Sequence, residues 1–352
     1  MRVLLLAWDE RRNASARCRI FNLAAWLRAR GIDAQADPPV GGMLGEILSR
    51  PGRRPLYRML QRMRGGRRLR GVNAADAVIL QRELFPFGPP RLERRLLGSN
   101  RPVIYDVDDA LHIRPGHFHA ASHALHRFDK ADEIARLARA VVVASASLEA
   151  WARPLNARIA RIPTPVDVGR FRPGAAHPDD GPLVVGWTGT AGNLAHLESI
   201  RPALLEVSRR TPFVLRIIGE RPLPDGEGPP IDFVPWSLER EATEVPRFDV
   251  GIMPLIDSPY AKAKAGYKAL VYMACGVPPI VSPVGTNCEI LDEGVEGCFA
   301  STQAEWVAKL TSLLRDAAER RAIGERARAR VVRERSEDAI FPQWLDLLRE
   351  VT

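Results

Sequence analysis

Short apolar runs alternate along the chain with longer amphipathic stretches. In the first half Arg2–Ala7, Ala77–Leu80, Val103–Asp106 and Val141–Ala144 read as strands; in the second, Leu183–Trp187, Val214–Ile218, Asp249–Met253 and Pro279–Ser282 do. Most are apolar at nearly every position, as expected of strands covered on both faces. Helical stretches such as Ala14–Arg30 and Leu194–Arg210 lie between them. This alternation predicts an α/β chain with doubly wound parallel sheets. The pattern stops at residues 163–182, PTPVDVGRFRPGAAHPDDGP, which are rich in Pro, Gly and Asp and lack periodicity. They read as a linker. The expected organisation is therefore an N-terminal domain over 1–165, a second domain over 166–335, and a tail helix over 336–352 that packs back across the junction. Two such domains would face a central cleft, with ligands at the carboxyl ends of the strands.

Length and composition agree with this picture. The 352 residues suffice for two domains with their own cores. The opening apolar run meets Asp9 and Glu10, and no window reaches 18 uncharged apolar residues, so a soluble, cytoplasmic chain is expected. Cys18, Cys275, Cys288 and Cys298 show no CxxC spacing, which predicts thiols rather than a zinc site.

Charge adds one feature. The net charge is +9, and the basic groups are almost all arginine. They are densest over Arg50–Arg70, where Leu56, Tyr57, Met59, Leu60 and Met63 are interleaved. That stretch reads either as a solvated helix face or as a patch for peripheral contact with an anionic membrane or an anionic acceptor. No nucleic-acid module accompanies the charge, so nucleic acid is not an expected partner.

Four segments carry candidate chemistry. In LVVGWTGTAGNLAHL (183–197), a strand runs into a loop with Gly186, Gly189 and Gly192 and then a helix, a form that suits either a phosphate or a plain tight turn. In DSPYAKAKAGYKALVYMACGVPPIVSP (257–283), three of the five lysines fall within seven residues. Lys264 and Lys268 would share a face if the helix starts early. Lysines there oppose the helix dipole unless an anion such as a nucleotide diphosphate is bound, or the cluster is simply solvated. Asp106, Asp108 and Asp109 crowd the end of a predicted strand, and five of the seven histidines follow, including His112, His117, His119, His123 and His126. Asp106-Val107-Asp108 has the form of a metal-binding DxD, but the histidine spacing fits no standard ligand set, so no metal site is assigned. Ser15, Arg17 and Arg19 lie at the first strand-to-helix turn, placed either to hold an acceptor or merely to start a helix.

Taken together, these segments resemble the bacterial family-4 glycosyltransferases, which have the GT-B fold of two Rossmann-like domains. ASARCRIFNLAAWLRARGI is similar to their acceptor-side opening, ILQRELFPFGPP with VIYDVDDALH to a segment pair of one bacterial branch, and IPTPVDVGRFRP to their linker. VVGWTGTAGNL and YKALVYMACGVPPIVSPVGTNCEILDEGVEGCFA are similar to the donor half. The resemblance implies an N-terminal acceptor domain and a C-terminal donor domain. It implies transfer of a sugar from a nucleotide-sugar substrate, UDP- or GDP-linked, with retention and without metal or other cofactor. The acceptor would be a glycan, a lipid-linked glycan or a small molecule. It places Gly189 and Thr190 at the phosphates, Lys264 and Lys268 at the leaving diphosphate, and Gly285, Thr286, Asn287 and Glu289 near the nucleotide or sugar. Ser15, Arg17, Arg19, His117 and His119 would serve the acceptor, and Asp108, Asp109 and Lys268 would be catalytic. Two departures stand out: Ala263 and Val271 occupy the positions of two family glutamates, and Asp108 stands where many relatives carry a histidine. Alternatives are a silent nucleotide-sugar-binding subunit, which Val271 favours, an epimerase or hydrolase on the same fold, and a metal-dependent GT-A enzyme using the DxD.

Overall fold

The computed structural model describes residues 1–50, 52–114, 126–174 and 181–352. The chain divides into two compact units. One comprises Met1–Pro165, Ala263–Ala265 and Ile340–Thr352; the other comprises Val166–Lys262 and Gly266–Ala339.

The N-terminal unit is built on six strands: β1 Arg2–Leu6, β2 Asp33–Asp37, β3 Ala77–Gln81, β4 Val103–Val107, β5 Ala140–Val143 and β6 Ile159–Arg161. They pair in the order β2-β1-β3-β4-β5-β6, all parallel. Val3, Leu5, Ile79, Ile104 and Val142 form the core of one face with Leu23 and Leu27. The tail helix Glu337–Val351 supplies Phe341, Trp344 and Leu348 to the same core. The expected long helix after β1 is interrupted. Residues Ala14–Ala16 and Asn22–Arg28 are α-helical, and Arg17–Phe21 form a wider π-turn. Short π segments of this kind often mark functional sites.

The second unit has six more strands: β7 Val184–Gly189, β8 Val214–Gly219, β9 Ile231–Pro235, β10 Val250–Met253, β11 Pro279–Val281 and β12 Cys298–Phe299. Their order is β12-β11-β10-β7-β8-β9, again parallel throughout. Alternate side chains of each strand go to opposite faces. Trp187, Ile217, Ile252 and Ile280 pack with Leu204 and Leu310 on one face. Val184, Ile218, Met253 and Val281 pack with Val271, Met273 and Val331 on the other. Two covered faces explain why these strands read as unbroken apolar runs. The order reverses between β7 and β10, and open sheets of this type bind ligands at the carboxyl edge beside such a reversal. Among the described residues no helix is long and apolar enough to cross a membrane, and all four cysteines are thiols.

Candidate functional site

At the carboxyl edge of the first sheet the acidic triplet is organised by arginines. β4 delivers Asp106 and the turn after it Asp108 and Asp109. Arg19, carried by the π-turn, has no solvent exposure. Its Nε donates to both carboxylate oxygens of Asp106 at 3.0 Å. Its Nη1 donates to Ile162 O and Thr164 Oγ1, each at 3.1 Å. Burial works against the guanidinium charge, but Asp106 outweighs it and holds the Arg19 pKa above its ordinary value. Arg17 is also buried, and its Nη1 donates to Arg12 O at 3.1 Å. Both guanidiniums are thus held inside the turn by these bonds.

Asp108 is 7% exposed. Arg82 Nε donates to its Oδ1 at 2.7 Å, and Arg82 Nη2 lies 3.5 Å from Asp109 Oδ2. Burial pushes the Asp108 carboxyl upward, yet Arg82, with help from Arg19 and the Ser15 hydroxyl, outweighs it and holds the pKa below the usual aspartate value. Ser15 in turn accepts from Gln81 Nε2 at 2.9 Å, so its proton is directed at Asp108. Arg82 belongs to none of the four candidate segments of the sequence. It directly follows β3 with φ +54, a left-handed conformation rare for a side chain of this size, and its guanidinium lies 4.8 Å from the centre of the Trp8 ring. The signal that would have found it is the like-charge triplet, which requires a counter-cation from a neighbouring strand end.

Lys264 falls within this same unit. Burial lowers its pKa, Asp109 opposes the shift and Arg82 adds to it. Gly266, at φ +68, turns the chain before the helix Tyr267–Ala274 begins. Lys264 and Lys268 consequently share no helix face, contrary to the early-start expectation, and the two lysines lie in different units. His117, His119 and His123 lie outside the described residues. His112 stacks on Trp151 at 4.6 Å, and His126 bridges Phe87. Among the described residues no group of three or more His, Cys, Asp or Glu is gathered as a metal site; the DxD carboxylates Asp106 and Asp108 are each ion-paired with an arginine.

In the second unit the switch-point edge gathers the remaining candidates. Gly189 ends β7. A Cβ there would fall 2.9 Å from Lys268 Cε, so the glycine lets the lysine lie against the strand end. Lys268 Nζ sits 4.6 Å from the centre of the Trp187 ring, a favourable cation–π distance. Thr190 is exposed and accepts from Asn193 Nδ2 at 2.8 Å. The loop after β11 packs against Gly266: a Cβ there would meet Asn287 Oδ1 at 3.4 Å and Thr286 Cγ2 at 3.5 Å. Thr286 and Asn287 are buried, and Thr286 Oγ1 and Asn287 Oδ1 have no hydrogen-bond partner among the described residues. Glu289 is half-buried in the short helix that follows. Gly189, Lys268 and the loop Gly285–Glu289 thus border the two ends of one segment, 266–268. Val271, by contrast, is fully buried in the core, and Ala263 is likewise buried.

Gly285 makes the loop possible. It has φ +56, and a Cβ would fall 2.3 Å from Lys262 O. Gly285→Ala is expected to cost about 1–3 kcal/mol from the backbone conformation alone, and more from the clash. Urea unfolding followed by hydrogen exchange of the 284–290 amides checks this.

Residues 259–346 match the family model described as "Glycosyl transferase-like". By sequence, none of the curated proteins matches the chain. The fold is similar to that of sucrose-phosphate synthase from Thermosynechococcus elongatus, at 16% identity and TM-score 0.70, covering 99% of each chain. It is similar to HepE from Anabaena in complex with UDP and glucose, at 15% identity and TM-score 0.66, covering 99% of this chain and 100% of that one. It is also similar to a glycosyltransferase from Rickettsia africae, at 13% identity and TM-score 0.70, covering 99% and 98%. The chain therefore has the GT-B fold of two parallel six-stranded sheets, its structural neighbours are glycosyltransferases, and residues 259–346 carry the glycosyltransferase-like domain.

Proposed function

We propose that the protein transfers a glycosyl group from a nucleotide sugar, UDP- or GDP-linked, to a glycan, a lipid-linked glycan or a small molecule, with retention and without metal. The observation that carries this reading is the segment 266–268 in the second unit, bordered by Gly189 and Trp187 at Lys268 and by Thr286 and Asn287 at Gly266. A lysine beside exposed backbone suits a diphosphate, and Thr286 Oγ1 and Asn287 Oδ1 supply buried polar atoms for a sugar or ribose hydroxyl. HepE, which shares the fold, has been captured with UDP-glucose.

In the reaction the anomeric carbon–oxygen bond to the diphosphate breaks, one to the acceptor oxygen forms, and the proton of the acceptor hydroxyl passes to the departing diphosphate. Lys268 offsets the charge that develops on the leaving diphosphate. Asp108, held ionised by Arg82, is the carboxylate assigned to the oxocarbenium-like centre, with Asp109 beside it. Asp108→Asn is expected to lower turnover by about 100-fold or more while leaving donor affinity within a few-fold, as read by steady-state kinetics and calorimetry. Unchanged turnover removes Asp108 from the mechanism. We place the activity in the cytoplasm, where four thiols persist.

Val271 favours a second reading, a subunit that binds the nucleotide sugar and does no chemistry, because no carboxylate stands there to meet a ribose. The two readings separate on release of nucleoside diphosphate from UDP- and GDP-sugars in the presence of acceptor extracts. Release with formation of a glycosylated product supports the transferase; tight binding with no release supports the silent subunit.

A further inference from the structure

We propose that the N-terminal unit docks on an anionic lipid surface through two consecutive helices, Gly42–Leu48 and Arg54–Arg68. The inference stands on the surface alone and is independent of the reaction assigned above.

The second helix sorts its residues by face. Tyr57, Gln61, Gly65 and Arg68 are buried. The arginines turned inward have partners: Arg54 pairs with Asp9 at 3.0 Å, Arg68 with Asp37 at 2.7 Å, and Arg58 donates to Gln61 Oε1 at 2.7 Å. The outward face carries Leu56, Met59 and Met63, spaced as one helical stripe and 47%, 52% and 69% exposed. The first helix adds Met43, 80% exposed, and Leu44. Its start lies beside the second helix, since a Cβ on Gly41 would be 3.6 Å from Arg64 Nη1.

Around this apolar stripe, Arg50, Arg53, Arg62, Arg67 and Arg70 are exposed and form no ion pair among the described residues. Glu46 is the sole acidic residue from 38 to 75. A soluble polyanion would use the arginines but gain nothing from exposed methionines and leucines. A bilayer uses both: the apolar side chains enter the acyl boundary, and the arginine stems lie along it with their heads at the phosphates. Charge and apolar exposure on one face therefore favour lipid over polysaccharide or an acidic protein.

The test is flotation of the full chain with phosphatidylcholine vesicles, with and without phosphatidylglycerol. The comparison chains are Met43→Ser/Met59→Ser/Met63→Ser and Arg62→Gln/Arg67→Gln, with circular dichroism and thermal midpoints confirming that each is folded. Binding is expected only with phosphatidylglycerol, about tenfold weaker in the methionine triple variant and roughly fivefold weaker for each arginine removed. No binding to phosphatidylglycerol vesicles overturns the proposal. Binding that the methionine changes leave untouched, matched by equal binding to dextran sulfate, also overturns it and makes the face a polyanion site.

Discussion

Arg19→Leu is expected to destabilise the N-terminal unit by about 3–5 kcal/mol. The guanidinium is fully buried and bonds Asp106, Ile162 O and Thr164 Oγ1, so it ties β4 and the segment after β6 to the turn after β1. Removing it leaves the Asp106 carboxylate without its counter-charge in a dry site. The double change Arg19→Leu/Asp106→Leu removes both charges and is expected to recover a large part of the loss. Hydrogen exchange of the β1 and β4 amides reads the effect on this unit separately from the other. A single variant within about 1 kcal/mol of the parent would return Arg19 to the list of groups open to an acceptor.

Lys268→Ala carries the second large effect. The lysine is held by the Trp187 ring and by contact with Gly189, so its charge is positioned before any ligand arrives. Preorganised charge aimed at a leaving group is worth about 100- to 1,000-fold in turnover. The alanine variant should lose that much kcat with each active donor, and should weaken nucleoside diphosphates while leaving the free nucleoside unaffected. Equal weakening of diphosphate and nucleoside would mean that Lys268 only supports the shape of the site. Lys264→Ala is expected to behave differently, because Lys264 lies in the unit that holds Asp109 and Arg82.

The sequence made the centres of both sheets legible and left their edges dark. β1, β3, β4, β5, β7, β8, β10 and β11 each overlap a strand expected from an apolar run. The four strands not foreseen are β2, β6, β9 and β12, and every one of them is an edge. An edge strand is covered less and pairs on one side only, so it needs no continuous apolar run. β2 is DAQAD and β9 is IDFVP, both largely exposed or half-buried, while β6 and β12 are three and two residues long. The candidate site was legible where chemistry is written in residue type, as in the aspartate triplet and the lysine cluster. It was illegible where backbone decides. The π-turn that buries Arg17 and Arg19, the left-handed Arg82 and the turn at Gly266 that separates Lys264 from Lys268 leave no mark in periodicity.

The most direct test of the central claim is calorimetric titration of the wild-type chain and Lys268→Ala with UDP, GDP, ADP and dTDP in the presence of EDTA. The account predicts that UDP or GDP binds the wild-type chain without a divalent ion, and that Lys268→Ala binds it at least about tenfold more weakly. Failure of every nucleotide to bind, or binding that requires a divalent ion or ignores Lys268, would contradict the donor site described for the second unit.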